Sequence, residues 1–239
     1  ADSSLTLKDR ARYFRAFDFI ESPIKYAVLL KMLENSNQND LSLNKMVINA
    51  LDVSSLKNSF TAQKVLTAVL ADLYGTAQYV ELVNKYELIS ECNNLLQLTM
   101  REPYRSVSKN AAMSLLQLCG TQPIWNVLNS KNLAQQKSLV AVLGLIGSTD
   151  LIEILQTIIL GEKYSLPLKR SCVIALGKSK NGEIKAVQLL KSKTIQTTLI
   201  PDLATSIIGS KNEWVRKEAA NYISTKKQLD KKCWKIRWS

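Results

Sequence analysis

The sequence predicts an all-α chain, a right-handed α-solenoid (α-α superhelix) of stacked helix pairs. Three observations carry that expectation. Apolar residues recur at helical spacing along most of the 239 residues, glycine recurs where those runs stop, and alternating strands are scarce. A chain that is 46% hydrophobic with only 8 glycines and 5 prolines folds rather than staying disordered, because it has enough apolar surface to bury.

The runs at 60–75, 108–120, 135–147 and 168–177 each begin polar, become a helix of small and aliphatic residues, and end on a glycine. A shorter copy spans 202–209. Glycine there suits the left-handed C′ position that closes a helix. A second, shorter apolar run follows the glycine at 123–128, 151–160 and 184–190. The terminal glycines at 75, 120, 147, 177 and 209 are spaced by 45, 27, 30 and 32 residues. A helix-turn-helix unit of about thirty residues is the period of an α-solenoid, in which each pair buries its apolar face against its neighbours. The long first interval leaves room for an extra helix, and the whole array amounts to roughly six pairs. Ala111, Ala112, Ala141 and Ala175 put small residues on the inner helices, where neighbours approach closely.

The polar stretch 35–42 is the clearest loop. It sets N-terminal capping helices (1–40) apart from repeats at 41–225, and a basic tail or cap follows at 226–239. Ser22-Pro23 has the form of an N-cap followed by proline at the first helical position, and opens a helix from Ile24 to about Leu33. The alternation of Trp234, Ile236 and Trp238 with Lys235 and Arg237 suits an edge strand or a cap over the last repeat.

Two resemblances follow from particular residues. In the stretch 213–223, Val215, Arg216, Ala219 and Ala220 fit a V-R-x-x-A-A-x-x-[LI] pattern, and here the chain resembles the second helix of HEAT repeats. The likeness extends over 41–225 and implies a HEAT-like, armadillo-like binding scaffold. The string from Arg12 through Tyr13, Phe14, Arg15, Phe17 and Asp18 to Phe19, then Ser22-Pro-x5-Leu-Leu-x-x-Leu33, resembles the helical-repeat segment of bacterial secreted multidomain dehydrogenase/c-type cytochrome proteins. That resemblance implies a connecting domain of a larger exported redox protein, periplasmic or extracellular, whose redox chemistry resides in other domains. This chain departs from the whole pattern, having neither a propeller nor a C-x-x-C-H haem site. Apart from any family, the aromatics of 12–19 suit a cap over the first repeat, with Arg12 and Arg15 pairing with Asp18 or with helix-end carbonyls. The sharper reading is a docking surface for another domain or a protein partner.

Catalytic chemistry has little to build on. There is no histidine, so the commonest general base and metal ligand is absent. The four cysteines, at 92, 119, 172 and 233, form no C-x-x-C pair. Cys119 and Cys172 read as small buried residues within apolar helices, and a disulfide between any two cysteines stays open. Asp18, Asp52, Asp72, Glu153 and Asp202 suit caps and solvated faces. Ser114 and Ser171 lie in helices without a nucleophile elbow, and no phosphate-binding glycine loop occurs. The start, Ala1-Asp-Ser-Ser4, lacks a basic n-region and apolar core, and no apolar run is long enough to cross a bilayer. No enzyme, cofactor, metal or small-molecule substrate is expected.

Charge is uneven. Residues 1–120 carry 13 Lys/Arg against 12 Asp/Glu, whereas 121–239 carry 19 against 8. Lys169, Arg170, Lys211, Arg216 and Lys217 form a candidate basic stripe, with Trp214 among them and Lys231, Lys232, Trp234 and Trp238 in the tail. Such a stripe follows phosphates, and tryptophans stack on bases. The plainer reading is a lysine-rich face that keeps the chain soluble. The favoured function is a non-catalytic interaction scaffold or interdomain spacer. The alternative is nucleic-acid binding of the kind seen in helical-repeat DNA glycosylases, although Trp125, Trp214, Trp234 and Trp238 do not reproduce the Trp-rich setting of their catalytic aspartate.

Overall fold

The computed structural model describes residues 6–19, 22–35 and 40–223. Among these the chain is all-α, with fifteen α-helical segments, two short 3-10 turns and no strand. It divides into two compact units, 1–88 and 89–239. The tail expected to form a strand or cap, and Cys233 within it, lie outside the described residues.

The first unit holds α1 (Leu7–Asp18), α2 (Pro23–Asn35), α3 (Leu41–Ala50), α4 (Val53–Lys57), α5 (Phe60–Leu73) and α6 (Ala77–Lys85). Short polar side chains start these helices. Asp40 accepts from the Leu43 amide at 3.0 Å, Asp52 from Ser55 at 3.1 Å, Ser59 from Ala62 at 3.2 Å and Thr76 from Tyr79 at 3.2 Å. Each satisfies an amide that the first helical turn leaves without a partner. Proline begins α2 as expected, and the Ser22 hydroxyl accepts from the Ile24 amide at 3.3 Å. Helices α1, α2 and α5 pack on α3, so the two N-terminal helices share a compact unit with the next four. Leu29, Val47, Ile48, Val69, Tyr79 and Val83 form its interior.

Tyr86 fastens this unit. Its ring is 1% exposed, and its hydroxyl donates to the carbonyls of Ile48, at 2.5 Å, and Leu51, at 3.1 Å. Burial pushes the phenol pKa up, with the charge of Asp52 adding to the effect. Tyr86→Phe leaves those carbonyls at the end of α3 without their donor. The expected cost is about 1–3 kcal/mol. Faster amide exchange in α3 and α6 is the check; unchanged protection there would remove the hydroxyl from the account.

The second unit opens on a 3-10 turn (Ile89–Glu91). It continues with α7 (Cys92–Arg101), α8 (Ser106–Cys119), α9 (Gln122–Leu128), α10 (Leu133–Ile146), α11 (Thr149–Leu160), α12 (Leu166–Leu176) and α13 (Lys180–Ser192). A second 3-10 turn, α14 (Ile200–Ile207) and α15 (213–223) follow among the described residues. The extra helix allowed by the long glycine interval is present, since both α6 and α7 fall between Gly75 and Gly120. In this unit α8 packs on α10, α10 on α12, and α12 on α14; α11 packs on α12 and α13.

Small residues permit that packing. A Cβ on Gly144 of α10 would lie 2.5 Å from the Ala175 carbonyl oxygen and 2.7 Å from the Ala175 Cβ of α12. Gly147 closes α10 in the left-handed conformation (φ 63°, ψ 26°). Gly177 does not follow that rule: its φ is −71°, and a side chain there would collide with the Ser206 carbonyl of α14. Close approach, not backbone handedness, selects glycine at that position. Gly209 also lies outside the positive-φ region, with open space where a Cβ would point. Gln136, nearly buried, donates to the carbonyls of Leu128 at 2.9 Å and Ser130 at 2.7 Å, satisfying acceptors at and just past the end of α9.

Cysteine departs from expectation in one place. Cys119 is not a free buried thiol; it is disulfide-bonded to Cys92, with 6.2 Å between their Cα atoms. The bond joins the start of α7 to the end of α8, which antiparallel packing of the two helices brings side by side. Cys172 is the free, fully buried cysteine that its apolar setting implies, and burial raises its pKa.

Candidate functional site

Three alternate helices of the second unit, α8, α10 and α12, contain no aspartate or glutamate. They do carry Lys109, Lys137, Lys169 and Arg170, and Lys178 follows α12 directly. Their inward stripes are Ala111, Ala112 and Leu115; Leu139, Val140 and Leu143; and Cys172, Val173 and Leu176, all buried. Helical periodicity turns the opposite face of each helix outward. Met113 of α8 is 57% exposed and Ile174 of α12 is 52% exposed.

A groove of about 180 Å³ runs between α10 and α12. Its floor is Val140, Ala141 and Ala175; Tyr104, Ser171 and Ile174 form walls, and Lys137 and Lys178 stand at the rim. The close approach at Gly144 and Ala175 puts small residues at the bottom. Tyr104, in the loop before α8, is 74% exposed. The Ser171 hydroxyl donates to the Pro167 carbonyl at 3.0 Å, which occupies its proton within its own helix. Among the described residues neither Lys137 nor Lys178 forms an ion pair. The groove therefore combines an apolar base with two uncompensated positive charges.

The residues expected to form a basic stripe are placed otherwise. Lys169 is 2% exposed and lies on the buried face of α12 with Cys172, Val173 and Leu176, so it is not part of any surface stripe. Arg170 is paired with Asp202 of α14 at 3.1 Å. Lys217 pairs with Glu213 at 2.9 Å along α15, and Arg216 donates to the Ser210 carbonyl at 2.6 Å. Trp214 lies under the Lys191 ammonium, 5.3 Å from its ring centroid, and that lysine also pairs with Glu218 at 2.7 Å. Lys211 is exposed. Lys231, Lys232, Trp234 and Trp238 lie outside the described residues.

In the N-terminal string, Arg12, Tyr13 and Arg15 are exposed on α1 and Phe14 is half-buried; the side chains of Phe17 and Asp18 lie outside the description. The ion pair that ties α1 down is made by Arg10, whose guanidinium meets Asp40 at 2.8 Å. The Leu43 amide, and then Arg10, hold the Asp40 carboxyl below its ordinary pKa, a direction that suits a helix cap and not a proton donor. Among the other carboxylates, Asp52 caps α4, Asp72 pairs with Lys45, and Glu153 is exposed.

Sequence reasoning did not single out Tyr104, Met113, Lys137 or Ile174, and took Lys178 only as one of the basic residues of the second half. The available signal was the absence of carboxylates from α8, α10 and α12, which a count over half the chain conceals. Among the described residues no helix is long and apolar enough to cross a membrane, and no three His, Cys, Asp or Glu side chains converge as metal ligands would. No family model, no curated protein and no solved structure matches the chain.

Proposed function

We propose that this chain is a HEAT-like, right-handed α-solenoid that acts as a non-catalytic protein-interaction scaffold, with the groove between α10 and α12 as its docking surface. One observation carries the reading: an apolar-floored groove with exposed Tyr104 and Ile174 at its walls and lysines at its rim. Aromatic and aliphatic side chains held outward beside charged ones are the composition of an interface core and its border. The order in which α8, α10, α12 and α14 pack on one another supports a stacked array, because solenoid repeats contact only their neighbours. A groove serine bonded into its own helix, in a chain without histidine, favours binding over catalysis. The disulfide favours an oxidising compartment, periplasmic or extracellular, in keeping with a spacer in a larger exported protein. Nucleic-acid binding is the weaker reading, since Arg170, Arg216 and Lys217 are already engaged.

The test uses a photo-crosslinking amino acid at Ile174, with exposed Glu153 of α11 as the control position. Irradiation in the cells that make the protein is expected to yield a discrete protein adduct from position 174 and none from 153. No adduct at either position would count against the scaffold. Sub-micromolar binding to duplex DNA with a steep salt slope would replace it with the nucleic-acid reading.

A further inference from the structure

Resting on the interaction reading above, we infer that the groove takes a linear, acidic segment of a partner protein: one apolar side chain seated on Ala141 and Ala175, with carboxylates on either side of it meeting Lys137 and Lys178. Three features lead there. At about 180 Å³ the groove is smaller than the roughly 300–1,000 Å³ usual for cofactor and drug-sized ligands, and suits one side chain. Its base is apolar, so the group that enters is apolar too; a phosphate or carboxylate buried there would lose its hydration without a partner. Its border is positive and uncompensated. Helices α8, α10 and α12 bring no carboxylate and no acid lines the groove; Glu102 is engaged by Arg105 at 2.5 Å and Asp202 by Arg170 at 3.1 Å, while Asp150 and Glu153 of α11 lie outside the lining.

The same features disfavour other occupants. The chain's own end, 226–239, carries Lys226, Lys227, Lys231, Lys232, Lys235 and Arg237 against Asp230, the same sign as the rim. A second copy brings a net charge of +12 and is repelled as a whole. A nucleic acid gains from a row of free cations, and here Lys169 is buried and Arg170 is paired, leaving two lysines around an apolar base. Carboxylates flanking an apolar residue match both features, and the charges fix orientation and register while the seated side chain supplies the burial.

The experiment is fluorescence anisotropy with the full 239-residue chain and fluorescein-labelled dodecapeptides. The first has a central leucine between runs of Asp and Glu; the second replaces that leucine by serine, and the third replaces the acids by lysine. Only the first is expected to bind well, with either change weakening it about tenfold, the scale of one well-seated contact. Ile174→Ser, and the double variant Lys137→Glu/Lys178→Glu, are each expected to weaken it about tenfold. These side chains are exposed, so the folds of the variants, checked by circular dichroism, should not change. The double variant should in turn take up the lysine-flanked peptide. Equal binding of the serine peptide, displaced by duplex DNA, would make the groove a general polyanion site and overturn the inference. Equal binding of the lysine-flanked peptide to the unaltered chain would remove the acidic requirement. If no peptide binds while the Ile174 crosslink still captures a protein, the acidic-segment inference falls and the scaffold reading survives.

Discussion

Gly144→Val is expected to lower the melting temperature of the second unit by about 6–12 °C. The cause is steric and specific. Even the first side-chain carbon would lie 2.5 Å from the Ala175 carbonyl oxygen and 2.7 Å from its Cβ, where atoms do not normally approach. The neighbour is the buried backbone of α12, which cannot rotate aside as a long side chain would. Overpacking of this kind costs about 1–3 kcal/mol, and a branched residue belongs at the upper end. A better helix former than glycine returns a few tenths of a kcal/mol, too little to change the sign. At about 2–4 °C per kcal/mol for a chain of this size, the shift is readily measured. All four tryptophans lie in 89–239, so their fluorescence reports on that unit alone. Gly209→Ala is the control: its Cβ meets nothing within 4 Å, and φ is not left-handed, so the melt should stay or rise slightly. A valine variant that melts with the unaltered chain would mean that α10 and α12 do not approach so closely.

Glycine explains both what the sequence reveals of the fold and what it conceals. The runs ending at Gly75, Gly120, Gly147, Gly177 and Gly209 correspond to α5, α8, α10, α12 and α14, and the shorter runs after Gly120, Gly147 and Gly177 to α9, α11 and α13. Positive φ, the backbone condition that favours glycine, occurs at 75, 120 and 147, with the full left-handed helical conformation at 147, and is absent at 177 and 209. A left-handed turn and a tight helix crossing both select the same residue, so sequence alone cannot separate them. Helices α3 and α4 carry no terminal glycine; Asp40 and Asp52 start them, and side-chain caps are the cue that marks their positions.

The site was less legible because charge was read by residue type and not by phase. Lys169 and Arg170 are adjacent in sequence, yet one is buried and the other pairs across to α14. The relation of Lys169 to Cys172, Val173 and Leu176 already puts it on the inward stripe. The groove itself depends on which helices become neighbours. Tyr104, Lys137 and Ile174 belong to three different segments, and only packing brings them to one cavity. The pairing of Cys92 with Cys119 has the same origin: residues 27 positions apart meet because α7 and α8 fold back on each other.

Removing that disulfide, by Cys92→Ser with Cys119→Ser, is expected to destabilise the second unit by about 3–4 kcal/mol. On the chain-entropy view, closing a loop of this length restricts the unfolded chain by about that much. The folded unit should persist, because Leu95, Leu98, Ala111, Ala112 and Leu115 still bury the α7–α8 interface. The tryptophan-detected melt should therefore fall by about 6–16 °C and remain cooperative. Thiol counting supplies an independent check in a Cys233→Ser background. The oxidised native protein should show no reactive thiol, since Cys172 is fully buried and burial raises its pKa. Mild reduction should release two, from half-buried Cys92 and Cys119, and unfolding should release the third. Two thiols reacting before any reductant is added would mean that the bond is absent in the protein as made. A double-serine variant with an unshifted melt would mean that the unfolded chain keeps these helices together without it. The first outcome would also withdraw the support the disulfide lends to an exported protein, while leaving the groove and the proposed acidic segment untouched.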